Sequence, residues 1–348
     1  MSIQKLVVSR DDSVYEAFPD VVLTSEGTLI CVFTECNAHA DRDNSRIVIT
    51  ESTDRGRTWS QKHPLTEYSS NTDFYNCARI SGIGEKTLVV ICDKARKINN
   101  SETAGQLFLW YSYDNGRTWS EPVNTSDLGI KDPGIVPDKY RVLKNGRHII
   151  SAHKKGESGK LEQYLWYSDD NGRTWSDRVT VASDPRYNLC EGCILETDDG
   201  ALVCYLRENS FIGTDCLKTV SYDNGESWSE VYNVPVPGCH RPVVGKLNSG
   251  NLLMTYRFMQ GGKGWLGSWT QNVFAALLKS DQATAVKRNE QSARILPLDY
   301  DRSPVSDLGY TGWVQFDDGE IFVVNYIVDD APKAQIRGYS LFEGDFTL

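Results

Sequence analysis

The stretch STDRGRTWS, residues 52–60, occurs in four closely similar copies along this chain of 348 residues. The other copies are SYDNGRTWS (112–120), SDDNGRTWS (168–176) and SYDNGESWS (221–229), so the copies begin 60, 56 and 53 residues apart. In each copy an aspartate can accept backbone N–H groups, and the glycine two residues later can take a positive φ, as hairpin turns require. We therefore predict repeated strand–turn–strand units in which the aspartates are structural and each tryptophan packs beneath its turn.

A second repeat indicates the number of units. A turn followed by a short apolar strand occurs six times, as SEGTLICVFTE, GEKTLVVICDK, KNGRHIISAHK, DDGALVCYLRE, NSGNLLMTYRF and DDGEIFVVNYI. The two repeats together predict an all-β fold, a six-bladed β-propeller of four-stranded antiparallel blades with Asp-box turns. A degenerate fifth Asp-box is expected around Ser280 and Asp281. The N-terminal IQKLVV and the C-terminal IRGYSLF are expected to share the sixth blade, which would close the ring without exposed strand edges.

Composition excludes several other classes of protein. The chain is 40% hydrophobic and 24% charged, and it contains no linker-like tract, so residues 1–348 are predicted to form a single propeller domain. The net charge of −10 argues against nucleic acid or an anionic membrane as the partner. No segment approaches the roughly 18 apolar residues of a membrane span, and no signal peptide is evident, so we expect a cytoplasmic protein.

Cysteine usage and motif content predict neither a metal nor a cofactor. Nine cysteines are an odd number, and several lie in strand-like runs, which favours reduced and buried thiols. Cys190 and Cys193 form an isolated C-x-x-C without a second pair, so no metal site is predicted. Phosphate-cradling glycine loops and dinucleotide fingerprints are also missing from the sequence, and we expect no cofactor. The sequence does not indicate the oligomeric state.

The strand repeat also locates candidate site residues, because the inner strands of a propeller converge on its axis. Seven residues after each turn the chain carries Thr34, Asp93, His153, Arg207, Arg257 and Tyr326. Nine residues before each turn it carries Phe18, Cys77, Pro137, Glu191, Arg241 and Tyr310, with an insertion expected in the third unit. Ionisable groups that converge in a concavity are the usual mark of a ligand site. His240, which precedes Arg241, joins this set, and Trp265 and Trp269 in a glycine-rich loop are candidates for stacking on a sugar.

Two segments resemble the sialidase (neuraminidase) superfamily, whose catalytic domain is a six-bladed propeller with Asp-boxes. NLCEGCILETDDGALVCYLREN (188–209) is similar to the family segment that carries a glutamate and then a substrate-binding arginine, here Glu191 and Arg207, 16 residues apart. DLGYTGWVQFDDGEIFVVNY (307–326) resembles the segment that carries the catalytic tyrosine, here Tyr310. Asp41, in NAHADRDNS, falls where the family places its acid/base aspartate, with Asp43 as the near alternative.

The resemblance implies an exo-acting glycoside hydrolase that releases a terminal, acidic sugar with retention of configuration. Tyr310 would attack the anomeric carbon with Glu191 as its base, and Asp41 would protonate the leaving oxygen. A carbohydrate is the expected partner. The residues predicted to bind it are Arg207, Arg241, Arg257, His153, His240, Asp93 and His39.

The chain departs from the family pattern at the first arginine of the carboxylate clamp. Sialidases begin with an arginine two residues before a proline, and here Ala17 stands two residues before Pro19. The third clamp arginine also has no counterpart at its usual distance before Tyr310, and Arg241, Arg257 and Arg302 are candidates to replace it. Because bidentate arginine pairs hold a planar carboxylate, the change at Ala17 favours an acidic sugar other than ordinary sialic acid.

Two other functions fit the same residues. A polysaccharide lyase would use a histidine or tyrosine to remove the proton α to a uronate carboxylate, with an arginine neutralising that group; His39, His153, His240, Tyr310 and Arg207 are its candidates. A carbohydrate-binding propeller without turnover is the third interpretation, because Asp-boxes indicate a fold and not a chemistry.

Overall fold

A computed structural model describes residues 3–70, 72–99, 102–260 and 270–347. These residues form the predicted six-bladed β-propeller of antiparallel sheets. Trp265 and Trp269 lie outside the described residues. The described residues include no helix that is long and apolar enough to cross a membrane.

The first three blades contain the strands up to Ala182. The N-terminal strand β1 (Gln4–Ser9) belongs to the last blade. The strands of the first three blades are, in chain order, β2 (Tyr15–Leu23), β3 (Leu29–Cys36), β4 (Arg46–Ser52), β5 (His63–Pro64), β6 (Asp73–Tyr75), β7 (Arg79–Gly82), β8 (Leu88–Asn99), β9 (Glu102–Ser112), β10 (Val123–Asn124), β11 (Arg141–Val142), β12 (His148–Lys155), β13 (Leu161–Ser168) and β14 (Val179–Ala182). Blade 1 consists of β2 to β5 and blade 3 of β11 to β14. In blade 2 both β6 and β7 pair with β8, and β9 and β10 follow.

The last three blades follow the same antiparallel order. Their strands are β15 (Leu189–Glu196), β16 (Leu202–Glu208), β17 (Asp215–Ser221), β18 (Tyr232–Pro237), β19 (Cys239–Lys246), β20 (Leu252–Met259), β21 (Gln271–Leu278), β22 (Ala293–Tyr300), β23 (Leu308–Gln315), β24 (Glu320–Ile327) and β25 (Gln335–Phe342). Blade 4 consists of β15 to β18, blade 5 of β19 to β22, and blade 6 of β23 to β25 followed by β1. The short 3-10 helices described are Thr125–Leu128, Ser280–Gln282, Arg288–Glu290 and Glu343–Phe346.

The two ends of the chain close the ring, as predicted. Strand β1 pairs antiparallel with β25, from Gln4 opposite Ser340 to Ser9 opposite Ile336. Buried apolar side chains pack between neighbouring blades; for example, Ile30 of β3 and Ile80 of β7 belong to one buried cluster. The nine cysteines are all buried and free of disulfides, as the sequence predicted.

The four Asp-boxes form the predicted turns. In the first, Ser52 Oγ donates to Asp54 Oδ1 at 2.8 Å, while Thr58 donates its N–H at 2.8 Å and its hydroxyl at 2.6 Å to the same carboxylate. Gly56 has φ of 81°, and a Cβ there would collide with the ring of Phe322 in blade 6. Trp59 donates its indole N–H to the carbonyl of Gly56 at 3.0 Å and packs against the adjacent core.

The expected fifth Asp-box is not formed. Ser280–Gln282 is a 3-10 helix, and Asp281 is exposed and makes none of the Asp-box hydrogen bonds in the described structure. The prediction was wrong because the segment lacks the following glycine and tryptophan, which allow the tight turn and cover it.

The inner strands of blades 1, 4, 5 and 6 each contain a β-bulge at an equivalent place. The strand register shifts between Ala17 and Asp20, Cys190 and Cys193, His240 and Val243, and Gly309 and Gly312. One residue in each bulge has a positive φ: 59° at Phe18, 49° at Glu191, 52° at Arg241 and 51° at Tyr310. Bulges redirect side chains, and these four were the positions that the strand repeat selected.

Blades 2 and 3 differ from this pattern. In blade 3 the residue with a positive φ is Val136, at 52°, and not Pro137, so the insertion shifts the predicted position by one residue. In blade 2 the inner strand is interrupted between β6 and β7, and the N–H of Cys77 is held there by Asp93 Oδ1 at 3.1 Å. Blade 2 contributes Arg79 and blade 3 contributes His153 near the axis, and the other ionisable groups come mainly from blades 4, 5 and 6.

Replacing Asp114 with alanine should lower the melting temperature by a few degrees at neutral pH. Hydrogen bonds from the Thr118 side chain and backbone lower the pKa of Asp114 to about 2, so the stabilisation is complete above the unfolded value of about 3.9 and is lost as the pH falls through about 2. Thermal melts between pH 7 and pH 2 would show the gap between wild type and variant closing on the acid side. Asp281→Ala is the control, and an equal effect of the two substitutions would contradict the structural role.

Candidate active site

Three side chains identified from the sequence meet near the axis of the propeller. The phenol of Tyr310, on β23, donates a hydrogen bond to Oε1 of Glu191, on β15. Nη1 of Arg207, on β16, donates to the same oxygen at 2.8 Å. All three side chains are buried, and Oε2 of Glu191 has no hydrogen-bond partner among the described residues. The bulges of blades 4 and 6 thus bring a phenol and a carboxylate 119 residues apart into direct contact.

The charges around this contact fix its resting protonation state. Burial opposes ionisation of Glu191, but Arg207, Arg241 and Arg257 outweigh it and hold the pKa of this carboxyl well below its usual range. Burial and the negative charge of Glu191 raise the pKa of the Tyr310 phenol well above its usual range. At rest the pair is therefore a neutral phenol that donates to a carboxylate, the arrangement of a nucleophile and its base.

Three more arginines surround the ring of Tyr310. The guanidinium carbons of Arg79, Arg241 and Arg257 lie 5.8, 5.6 and 5.4 Å from the ring centroid, within the range of cation–π contacts. Arg79 was missed in the sequence, although it follows the predicted position Cys77 by two residues. It is fully buried on β7 and donates to the carbonyl of Pro19 at 3.0 Å.

Two cavities adjoin Tyr310. The first, here called the His39 cavity, has a volume of about 390 Å³ and is lined by His39, Arg207, Asn209, Phe211, Arg257 and Tyr310. The second, the His153 cavity, has a volume of about 900 Å³ and its lining includes Arg42, Asn76, His153, Glu191, Asn209 and Tyr310. Tyr310 and Asn209 line both, so the phenol stands between the two spaces. Asn209 and the exposed Phe211 were not predicted, although they lie only two and four residues after Arg207.

His39 is held by a buried carboxylate that sequence reasoning did not identify. Nδ1 of His39 lies 2.8 Å from Oδ2 of Asp307, which also accepts the hydroxyl of Tyr15. Tyr326 donates to Oδ1 of Asp307 at 3.0 Å. Burial opposes ionisation of Asp307, but its hydrogen bond and charge interaction with His39 lower its pKa below the usual value.

The other two predicted histidines are buried and neutral at physiological pH. Burial lowers the pKa of His153 to about 4, and its Nδ1 accepts the backbone N–H of Glu191 at 3.3 Å. Burial, together with Arg207 and Arg257, lowers the pKa of His240 well below its usual value. The ring of His240 packs on Phe211 with centroids 5.6 Å apart.

Some predicted residues are not brought to the cavities. Asp41 is exposed in the loop between β3 and β4, where its Oδ2 accepts from Asn37 at 3.3 Å, and the nearby Asp43 is exposed as well. Asp93 is fully buried, and both of its carboxylate oxygens are in hydrogen bonds, one of them from Asn76 at 2.8 Å. Asp93 therefore supports the wall of the His153 cavity and does not line it.

The three candidates to replace the third clamp arginine differ in how close they lie to Tyr310. Arg302 is exposed and pairs with Asp329 at 2.6 Å, so it lies outside the site. Arg241 is buried against Tyr310 and donates to the carbonyl of Pro137 at 2.9 Å. Arg257 both contacts the Tyr310 ring and lines the His39 cavity. It packs over Gly309, where a Cβ would lie 3.0 Å from the Cβ of Arg257, so any other residue at 309 would crowd it.

Ala17 lies in a buried apolar cluster that also contains Phe18, Tyr310 and Tyr326. Ala17 is fully buried, and its neighbour Phe18 lies 5.1 Å from Tyr310 and 5.2 Å from Tyr326 between ring centroids. The ring of His39 meets Phe18 edge-on at 5.5 Å. An arginine at position 17 would therefore have to be accommodated within a buried apolar cluster.

Comparison with known proteins agrees with this architecture. Residues 84–257 match the family described as a BNR repeat-like domain. A sialidase of Bacteroides fragilis is 23% identical over 249 residues, which cover 63% of this chain and 44% of that protein. A sialidase of Paraclostridium sordellii is 26% identical over 276 residues, covering 70% of this chain and 63% of that protein. The chain thus spans less than two thirds of the length of these relatives.

A solved structure has the same fold over nearly its whole length. A protein of unknown function from Dyadobacter fermentans superposes with a TM-score of 0.81 at 19% identity, covering 98% of this chain and 99% of that one. The family match covers half of the chain, and the six blades, the four Asp-boxes and the sialidase relatives point the same way. The chain therefore belongs to the BNR repeat-like family and to the sialidase superfamily.

Proposed function

We propose that the protein is an exo-acting glycoside hydrolase that releases a terminal acidic sugar from a glycan or oligosaccharide with retention of configuration. The observation that carries the proposal is the buried hydrogen bond from Tyr310 to Glu191, with Arg207 on the same carboxylate oxygen. A phenol with a carboxylate base is a suitable nucleophile for a substrate that carries its own carboxylate beside the reacting carbon, because a neutral nucleophile approaches such a substrate without charge repulsion.

In the first step Tyr310 Oη attacks the anomeric carbon while its proton passes to Glu191 Oε1. The bond from the anomeric carbon to the leaving oxygen breaks, and that oxygen takes a proton from an acid. In the second step the deprotonated acid takes a proton from a water molecule, whose oxygen attacks the same carbon. The bond to Tyr310 breaks, and the phenol recovers its proton from Glu191. The pKa of Glu191 is depressed and that of Tyr310 is raised, so proton transfer has to accompany formation of the new bond and cannot precede it.

The arginines supply the electrostatic part of this mechanism. Before attack they stabilise the carboxylate of Glu191, and during attack Arg241 and Arg257, beside the Tyr310 ring, stabilise the charge that develops on the phenolic oxygen. Arg207 and Arg257 also line the His39 cavity, where a sugar carboxylate would meet them. These contacts support an acidic sugar as the substrate.

Asp41 remains the proposed acid for the leaving group. Its loop, between β3 and β4, also supplies His39 to one cavity and Arg42 to the other. A substrate that reaches out of the pocket would pass this loop. Since Asp41 is exposed, its role requires the loop to bring the carboxyl to the leaving oxygen when substrate is bound.

A lyase is the second candidate function. The observation that favours it is the His39 cavity, which brings a histidine, Tyr310 and two arginines together. Such a set could remove a proton α to a uronate carboxylate and neutralise that carboxylate. Elimination leaves an unsaturated uronate that absorbs in the ultraviolet, whereas hydrolysis forms no such product.

Tyr310→Phe should reduce kcat/KM on acidic aryl glycosides by at least about a thousandfold, because the nucleophile is lost while the fold is kept. Turnover should be assayed on sialosides and uronosides by release of the aryl group, with ultraviolet absorbance followed in parallel and the first-formed anomer identified by NMR. Tyr256→Phe is the matched control, since its buried hydroxyl has no hydrogen-bond partner among the described residues. Sugar binding without any turnover would contradict the proposal, and a rise in ultraviolet absorbance would favour the lyase.

His153 should make stability depend on pH below neutrality. An unfolded histidine takes up its proton near 6.5, but in the fold this pKa is lowered to about 4, so stability falls as the pH decreases from about 6.5 to about 4. His153→Gln should remove this part of the loss. Urea unfolding at about pH 7 and about pH 5 would measure it, with the exposed His63→Gln as the control. The same acid dependence in all three proteins would show that His153 is not buried in its neutral form.

A further inference from the structure

We propose that His39 is the third member of the carboxylate clamp, in place of the arginine that Ala17 does not provide. The clamp would then consist of Arg207, Arg257 and one imidazole, and its affinity for an acidic sugar would depend on the protonation of that imidazole. This inference rests on the proposed function only in requiring that an acidic sugar enters the His39 cavity.

The lining of the His39 cavity is the first argument. Arg207 comes from β16 of blade 4, Arg257 from β20 of blade 5, and His39 from the β3–β4 loop of blade 1, so three basic side chains reach one space from three sides. Among the described residues that line this cavity none is acidic. The carboxylates that balance these bases, Glu191 and Asp307, lie behind the lining. The cavity therefore offers a positive surface to which an anionic group can bind.

The place of His39 relative to Ala17 is the second argument. Ala17 precedes Phe18 in the bulge of β2, and the His39 ring packs on Phe18 at 5.5 Å between centroids. Phe18 in turn packs on Tyr310 at 5.1 Å. The imidazole thus lies beside strand β2, which carries Ala17 at the position where the family pattern has an arginine. Ala17 itself is fully buried and carries no charge, whereas the loop supplies a basic group to the same region.

Asp307 gives His39 a fixed orientation. Asp307 Oδ2 lies 2.8 Å from Nδ1 of His39, and this contact sets the direction of the imidazole ring. Asp307 is itself held by the hydroxyls of Tyr15 and Tyr326. A buried, ionised Asp307 also compensates the charge of a protonated imidazole, so the cavity does not have to hold three unbalanced cations.

The other ionisable groups around His39 keep their charge state at physiological pH. The charged and titratable groups that face it are Asp307, Tyr310 and Tyr326 from blade 6, Tyr15 from blade 1 through Asp307, Arg207 and Arg257 across the cavity, and Arg42 on its own loop. The arginines stay protonated at any physiological pH, and the raised pKa values of the three tyrosines keep them neutral. Histidine is the residue whose charge changes near neutrality, so affinity for a carboxylate should decrease as the pH rises.

The test compares wild type with His39→Gln and His39→Arg, and the exposed His63→Gln serves as the control. Binding of sialic acid, of its methyl ester and of glucuronic acid would be measured by calorimetry at about pH 5.5 and about pH 8. Wild type and His63→Gln should bind the acids about tenfold more tightly at the lower pH, and should bind the ester weakly at both. His39→Gln should bind the acids weakly at both values. His39→Arg, with a permanent charge, should bind them tightly at both.

Several outcomes would overturn the clamp. A wild-type protein that binds neither acid, or that binds the acids with an affinity that does not change with pH, would contradict the clamp. So would a His39→Gln variant that keeps the wild-type affinity, or a His39→Arg variant that binds as weakly as His39→Gln. Where thermal melts show that His39→Gln does not fold, the pH profile of His39→Arg against wild type decides. Turnover assays on the same proteins separate the two proposals. The predicted binding pattern without any turnover refutes the hydrolase but not the clamp. Turnover that depends on Tyr310, together with unaltered acid binding by His39→Gln, refutes only the clamp.

Discussion

The left-handed backbone of one residue in each of four inner strands is the constraint on which the candidate site depends. A residue with a Cβ is destabilised in this region by about 1 kcal/mol or more, so the flanking sheet has to hold it there. In blade 1 the pairs Ala17–Thr34 and Asp20–Val32 do so on either side of the bulge. The same arrangement redirects Glu191 and Tyr310 out of the strand pleat, and without it neither side chain would meet the other across the axis.

Electrostatic interactions then determine the protonation states of Glu191 and Tyr310. A single carboxylate, Glu191, lies among Arg207, Arg241 and Arg257, and the arginines keep it ionised despite complete burial. Burial and the charge of Glu191 keep Tyr310 protonated, so the site rests as a neutral phenol beside a carboxylate, which is the state from which the proposed reaction starts. The proposal of an anionic sugar rests on the arginines that surround the phenol, two of which line the His39 cavity.

The loop between β3 and β4 decides how far this site resembles its relatives. It carries Asp41 at the surface, Arg42 at one cavity and His39 at the other, so it contributes to both sides of Tyr310. In the proposed clamp a histidine on a loop takes the place of an arginine on a strand, so the carboxylate would meet a single imidazole N–H where a guanidinium would offer a two-pronged contact.

The sequence by itself determined the number of blades, the four Asp-box turns, the closure of the ring and the register that picked out Glu191, Arg207 and Tyr310, because each of these follows from a period or from local turn chemistry. It also marked Ala17 as a departure. Only the tertiary structure decided that Arg79 and Asp307 belong to the site, that Arg302 and Asp93 do not line it, and that blade 3 is shifted to Val136. The reason is physical: a repeat fixes where a residue stands along its own strand, but contacts between blades depend on bulges, loop paths and burial, which bring together residues with no fixed spacing in the chain.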